Sequence, residues 1–153
     1  MEPLNLPTYF FRIKEEKGKK YIFDEIRRRF VLFTPEEWVR QHVVKFLTET
    51  KKFPQQLISV EKGFKQNRRK QRYDLLVHDR KGAPLMIVEC KAPGIEINQH
   101  VFDQAARYNV KHRAAYMLIT NGAKQYCCHI NLENRQYQFL HEIPEYDDMV
   151  TTP

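Results

Sequence analysis

The chain has 153 residues, enough for one domain and too few for two of ordinary size. Hydrophobic residues make up 42% and charged residues 29%, a globular mix that argues against disorder or a fibrous class. Lys and Arg outnumber Asp and Glu by 26 to 19, no stretch approaches the ~18 consecutive apolar residues of a membrane helix, and MEPLNLPTYF lacks a basic region followed by an apolar run, so a secreted or membrane-spanning protein is not expected.

In chain order, Tyr9 to Ile13 reads as a strand and Tyr21 to Phe23 as its partner, with the turn EEKGKK between them and Gly18 near its tip. Ile26 to Phe33 extends this small sheet, and its Arg27, Arg28 and Arg29 serve as a charged edge that discourages aggregation. Thr34-Pro35-Glu36-Glu37 then starts a helix. Thr34 is the cap, Pro35 suits the first helical position, and Glu37 falls where a capping box wants a carboxylate. Val39, Val43, Phe46 and Leu47 recur on one face of that helix, which fades near Lys51 and cannot pass Pro54. Trp38 is expected to pack against the N-terminal hairpin.

Leu57 to Val60 and Tyr73 to Val77 follow as strands, separated by KGFKQNRRKQR with six basic residues in eleven. His78 to Gly82 is a turn. Pro84 to Cys90 is nearly all apolar, as a strand buried on both faces requires. Pro93-Gly94 ends it. Asn98 to Lys111 reads as a helix with Val101, Gln104, Ala105 and Tyr108 on one side, and Ala115 to Thr120 as another buried strand stopped by Asn121-Gly122. Tyr126 to Ile130 and Tyr137 to Leu140 complete an edge hairpin. Residues 141–153 form an acidic tail, expected to be mobile. The order implies an α/β (α+β) domain over 1–140, with a mixed central sheet flanked by helices (34–140) and a β-hairpin extension (1–33).

Charge is unevenly placed along this order. Residues 1–91 hold 21 basic and 12 acidic residues, whereas 92–153 hold 5 and 7, which points to an anionic partner with nucleic acid the first candidate. The cysteines are Cys90, Cys127 and Cys128. They are odd in number and have no CxxC spacing, and neighbours on a strand face opposite ways, so reduced, cytoplasmic thiols are expected.

The chemistry concentrates in Asp74, within RYDLLV, and in Glu89 and Lys91, within IVECKAP. Two-residue spacing puts Glu89 and Lys91 on one face, while Cys90 faces the other way. Charges so placed are costly unless paired or functional. Two carboxylates from neighbouring strands make a hard-oxygen site for Mg²⁺, and a nearby Lys can orient or deprotonate water or stabilise charge on phosphate. Metal-assisted phosphodiester hydrolysis is the reaction this set supports. The plainer alternative is a structural Glu89–Lys91 pair with Asp74 solvated. Lys65, Arg68, Arg69, Lys70 and Arg72 lie just before the Asp74 strand, where they can contact phosphates or form a solvated loop.

RYDLLV and IVECKAP resemble the metal-binding core of the PD-(D/E)XK nuclease superfamily. With TPEEWVRQ on the first helix, Gln104 and Tyr108 as a QxxxY, and LITNG after them, the chain from about Tyr9 to about Ile130 resembles the N-terminal nuclease domain of type I restriction enzyme R subunits. The resemblance implies a restriction-endonuclease-like fold and Mg²⁺-dependent DNA cleavage, with Mn²⁺ able to substitute. It implies that Asp74 and Glu89 bind metal and that Lys91 is the catalytic lysine. It adds Glu37 as a further acidic residue, against its plainer role as a helix cap. It also assigns Gln104 and Tyr108 to positioning the metal site or DNA, against simple packing.

Two departures accompany the resemblance. The chain has no GxxxxGK[ST] and no room for the ATP-driven translocase of those subunits. Tyr73 stands where the superfamily's nominal motif has Pro. The expected function is therefore a restriction-type DNA endonuclease domain, with other restriction-modification subunits as possible partners. The alternatives are a non-catalytic nucleic-acid-binding or assembly module, and a nuclease acting in repair or on RNA.

Overall fold

The computed structural model describes residues 3–61 and 73–151. Its N-terminal sheet is antiparallel, with β1 (Ile13–Glu16), β2 (Lys19–Asp24) and β3 (Arg29–Leu32) in that order. Lys17 and Gly18 close the first hairpin with φ of 52° and 78°, the positive pair that matches the twist of two antiparallel strands. This turn fixes the register of Glu16 opposite Lys19, so β1 begins at Ile13 rather than at Tyr9 as the aromatic run predicts. That run is used elsewhere: the Phe11 ring lies 5.3 Å from Trp38 and 4.6 Å from His42 on the first helix. Phe33 reaches Trp38 from the other side, at 5.4 Å, so the extension clasps the helix through Trp38.

That helix, α1, spans Pro35–Lys45. The Thr34 side chain accepts a hydrogen bond from the Glu37 N–H at 3.0 Å, and Pro35 fills the first turn. A π-helical turn over Phe46–Thr50 carries the chain out of it.

The main sheet has six strands in the order β4 (Ile58–Val60), β5 (Leu75–His78), β6 (Pro84–Cys90), β7 (Tyr116–Thr120), β8 (Gln125–Asn131) and β9 (Gln136–Leu140). The β6–β7 pair is parallel and all other neighbours are antiparallel. A parallel pair needs a crossover, and α2 (Gln99–His112) supplies it. The sheet is mixed, as expected.

Alternation sorts the strand residues into two cores. Val39, Val43, Val44 and Leu47 pack with Leu75, Val77, Val88, Cys90 and Cys127 on one face. Ala105, with Val101, Phe102 and Tyr108 beside it, packs with Leu76, Ile87, Met117, Ile119 and Cys128 on the other. Cys127 and Cys128 thus lie on opposite faces, and all three cysteines are free.

The end of the chain differs from expectation. Tyr146–Thr151 forms a short helix, α3, and Ile143, Tyr146 and Met149 are buried in the α1-side core. Tyr146 stacks edge-on against Phe53 at 5.4 Å, and its hydroxyl donates to the His78 carbonyl at 3.1 Å. Tyr146 and Met149, three residues apart, share the buried side of α3, Ile143 enters the same core just before it, and Asp147 and Asp148 are left to the solvent. The acidic surface hides an anchoring stripe.

Candidate functional site

The site assembles where β5 begins and β6 ends. Leu75 pairs with Val88, and the N–H of Asp74 also donates to the Val88 carbonyl, at 3.0 Å. Asp74 stands just before β5, at a bend, and the alternation of the strand does not extend through it. Asp74 joins Leu75 on the α1 side, while Tyr73 and Leu76 belong to the α2 side.

Asp74 is fully buried. Its Oδ1 accepts from Arg40 Nη2 at 2.6 Å and from Arg40 Nε at 3.3 Å, and its Oδ2 accepts from the N–H of Cys90 at 2.6 Å. Arg40 is also buried and reaches two further carboxylates: Nη1 donates to Glu37, and Nη2 lies 2.9 Å from Glu36 Oε1. Glu37 additionally accepts from Gln41 Nε2 at 2.7 Å and from Arg27 Nη2 at 3.3 Å, and Arg27 pairs with the buried Asp24. Burial weakens the Arg40 ion, but the charges of Asp74 and Glu37 outweigh it and raise its affinity for the proton. Such a network is tolerated in the interior because every charge in it is paired.

Glu89 and Lys91 occupy the other face. Val88 and Cys90 point toward α1, so alternation sends Glu89, like Ile87, toward α2. Glu89 is 4% exposed and its Oε2 lies 3.3 Å from Lys91 Nζ. Lys91 continues the parallel ladder through its N–H to the Thr120 carbonyl at 2.8 Å, and its side chain is 25% exposed. Tyr73 packs behind this pair, its ring 5.6 Å from Tyr108 and 5.1 Å from His112. The Tyr73 hydroxyl is buried with no hydrogen-bond partner among the described residues. Burial, then the charge of Glu89, pushes this phenol well above its ordinary pKa, so it stays protonated.

The predicted residues therefore fall into two groups that meet at the Cys90 amide. Glu37 joins Asp74 through Arg40, and Lys91 joins Glu89. Glu37 is also the residue that the Thr34 cap holds, so its N–H and its carboxylate have separate roles. Gln104 and Tyr108 are half-buried one turn apart on α2, and Tyr108 stands against Tyr73. Lys65, Arg68, Arg69, Lys70 and Arg72 lie outside the described residues.

Arg40 is not among the site residues that the sequence singles out. Its link to Asp74 was legible in one respect: Arg40 precedes Val43, Val44 and Leu47 at the spacing of a buried helical face, an expensive place for a cation without a deep partner.

Among the described residues, no three side chains of the His, Cys, Asp and Glu types gather to hold a metal. The pair Asp74 and Glu89 nonetheless matches what Mg²⁺ takes from a protein, one or two hard carboxylates with water and phosphate completing the shell. A buried tyrosine hydroxyl left to be satisfied beside Glu89 agrees with a polar occupant on that face. The donors are of the right kind, Asp74 reaching the strand end from the α1 side, where it holds Arg40, and Glu89 from the α2 side.

No helix among the described residues is long and apolar enough to cross a membrane. A family model described as Type I restriction enzyme R protein N terminus matches residues 35–144, from the first residue of α1 to the start of the final anchoring stripe. No curated protein matches the chain.

Proposed function

We infer from one premise, that this chain belongs to the type I restriction enzyme R protein N-terminal family, that it is a Mg²⁺-dependent DNA endonuclease domain of a restriction system. The observation that supports the reading most is the Glu89–Lys91 pair, 3.3 Å apart at the end of the central strand and one residue from the amide that holds Asp74. A lysine and two carboxylates near one strand end support this reading in a chain of this family.

Asp74 and Glu89 would hold the metal, with Mn²⁺ able to replace Mg²⁺. When bound, the ion supplies charge neutralisation at the phosphate and a more acidic water. The rest is the work of the chain. Lys91 stabilises the charge that grows on the scissile phosphate, or takes a proton from the attacking water at Nζ, and Glu89 holds its stem in line. Glu37 fixes Arg40 and so the position of Asp74. Tyr108, with Gln104 beside it, supports Tyr73 and orients DNA along the α2 face. Lys65, Arg68, Arg69, Lys70 and Arg72 contribute salt-dependent contacts to backbone phosphates. Other restriction-modification subunits are the natural partners, and three free cysteines suit the reducing cytoplasm.

A second reading has its own observation. Arg40 engages Asp74 with two nitrogens, the state a non-catalytic DNA-binding module would keep permanently. Incubation of supercoiled plasmid with Mg²⁺ or Mn²⁺ separates the two. The wild type is expected to nick or linearise it, and Asp74→Ala and Lys91→Ala are expected to leave it supercoiled. DNA binding with no cleavage in either metal would establish the binding module instead. Undiminished cutting by Asp74→Ala would remove Asp74 from the site.

A further inference from the structure

We propose that a slot between α2 and the β8–β9 end of the main sheet binds an unpaired base of the DNA strand, within about three nucleotides of the scissile phosphate. The inference rests on reading the Glu89–Lys91 end as the place of cutting, and deepens it by naming the form of DNA taken.

The walls of the slot are aromatic. Register places Phe139 opposite Cys128 and Tyr137 opposite Ile130, so both rings rise from the α2 face of the sheet. Tyr126, two residues before Cys128, joins them. Phe102 of α2 meets Tyr137 edge-on at 5.2 Å and lies 5.5 Å from Phe139. With Ile119, these rings border a cavity of about 300 Å³ that opens to solvent. Tyr126 and Tyr137 are each 38% exposed and Phe139 57%. An exposed apolar cluster with polar groups at its rim marks a binding groove.

Three features select a base as the occupant. The first is size. A cavity of about 300 Å³ stands at the small end of small-molecule sites, so it takes a planar ring system and not a partner's helix, which is about 10–12 Å across. The second is the rim, where Asn98 and Gln99 line the same slot. Asn98 Oδ1 accepts from the Val101 N–H and Gln99 Nε2 donates to Asp103. One amide thus keeps a donor and the other an acceptor, the groups that a base edge requires.

The third is position. Glu89 pairs with Ile119, and Ile119 with Tyr126, so the ladder sets carboxylate, slot and ring in one row on one face. At ~4.8 Å between strands, Tyr126 stands about 10 Å from Glu89, or about three nucleotides at ~3.4 Å each. Rings stack on any base but cannot reach one inside a duplex, so the base is unpaired.

The test is fluorescence anisotropy of labelled oligonucleotides with the whole chain in EDTA, which reads binding without cleavage. A single strand is compared with the same strand carrying abasic sites in place of its bases, and with a blunt duplex. Wild type should bind the normal strand about tenfold more tightly than the abasic one, as expected for a stacked base. Tyr126→Ala and Phe139→Ala, both at exposed positions, should lose about tenfold on the normal strand and nothing on the abasic strand or the duplex. Tyr126→Phe should bind like wild type. Equal binding of normal and abasic strands by wild type overturns the proposal with no variant needed. An equal loss on all three ligands in Phe139→Ala also overturns it, since the ring would then act through the fold or a protein contact. If plasmid is cut while normal and abasic strands bind alike, the slot fails and the nuclease reading stands. If binding depends on bases and rings as expected but neither Mg²⁺ nor Mn²⁺ supports cleavage, the slot holds and the nuclease reading fails.

Discussion

The main-chain N–H of Cys90 donates to Oδ2 of Asp74 at 2.6 Å, tying the end of the central strand to the carboxylate of its neighbour. The same carboxylate holds Arg40 of α1 through Oδ1. Asp74 is thus a structural joint between helix and sheet as well as a proposed metal ligand. Its two duties are separable, because Asn can accept from the Cys90 amide but cannot balance Arg40.

Asp74→Ala should therefore cost about 3–5 kcal/mol of stability, the usual loss when one member of a buried ion pair is removed. Asp74→Asn should cost less, about 1–3 kcal/mol, since it keeps the amide hydrogen bond. Urea unfolding of the two variants measures the difference. Equal losses would mean that the Cys90 bond contributes nothing.

Much of this architecture was readable from the residues. The apolar run Pro84 to Cys90 could only be a buried strand, and Thr34-Pro35-Glu36-Glu37 could only open a helix. The two cores follow from strict alternation, which placed Cys127 and Cys128 correctly on opposite faces. What escaped the reading was non-local. The register of β1 is set by a two-residue turn, not by the aromatic run before it. Asp74 stands at a bend just before β5 and turns toward α1, out of step with the alternation that follows it. Strand periodicity reports faces only within the strand, so it is silent on a residue at its edge. The position of Arg40 was hidden for a similar reason: its partner is 34 residues away along the chain.

The C-terminal segment supplies the next expectation. Tyr146 is fully buried against Phe53, so Tyr146→Ala should cost about 3–5 kcal/mol, as large-to-small changes in a core do. Tyr146→Phe removes only the bond to the His78 carbonyl and should cost about 1 kcal/mol. Thermal melts of both variants decide it. An unchanged Tyr146→Ala protein would return residues 141–151 to the status of a dispensable tail.

Arg113, just past α2, adopts the left-handed conformation with φ of 57° while its N–H bonds the Asn109 carbonyl. A side chain pays for that backbone and glycine does not. Arg113→Gly should raise stability by about 0.5–1 kcal/mol, and Arg113→Ala should not. A lower melting temperature for Arg113→Gly would show that the exposed guanidinium contributes more than the strain removed.

The thiols give a pH dependence with a definite sign. Burial pushes Cys127 up to about 12, with the neighbouring Cys128 adding to it, and burial pushes Cys128 up to about 12, both from an ordinary value of 9.0. Cys90 is raised too, by burial first and by Asp74 second. Between about pH 9 and pH 12 the unfolded chain loses these protons while the folded chain keeps them. The native state then binds more protons than the unfolded one, so stability falls as pH rises, by up to about 1.4 kcal/mol per unit for each thiol. Below pH 9 the contribution is complete and flat. Urea midpoints measured from pH 8 to pH 11 should fall more steeply for wild type than for Cys127→Ala/Cys128→Ala, which removes two of the three titrations while leaving the tyrosines and lysines in place. Parallel curves for the two proteins would mean that the thiols ionise as readily folded as unfolded, and a native protein whose cysteines react at once with a disulfide reagent at pH 8 would say the same.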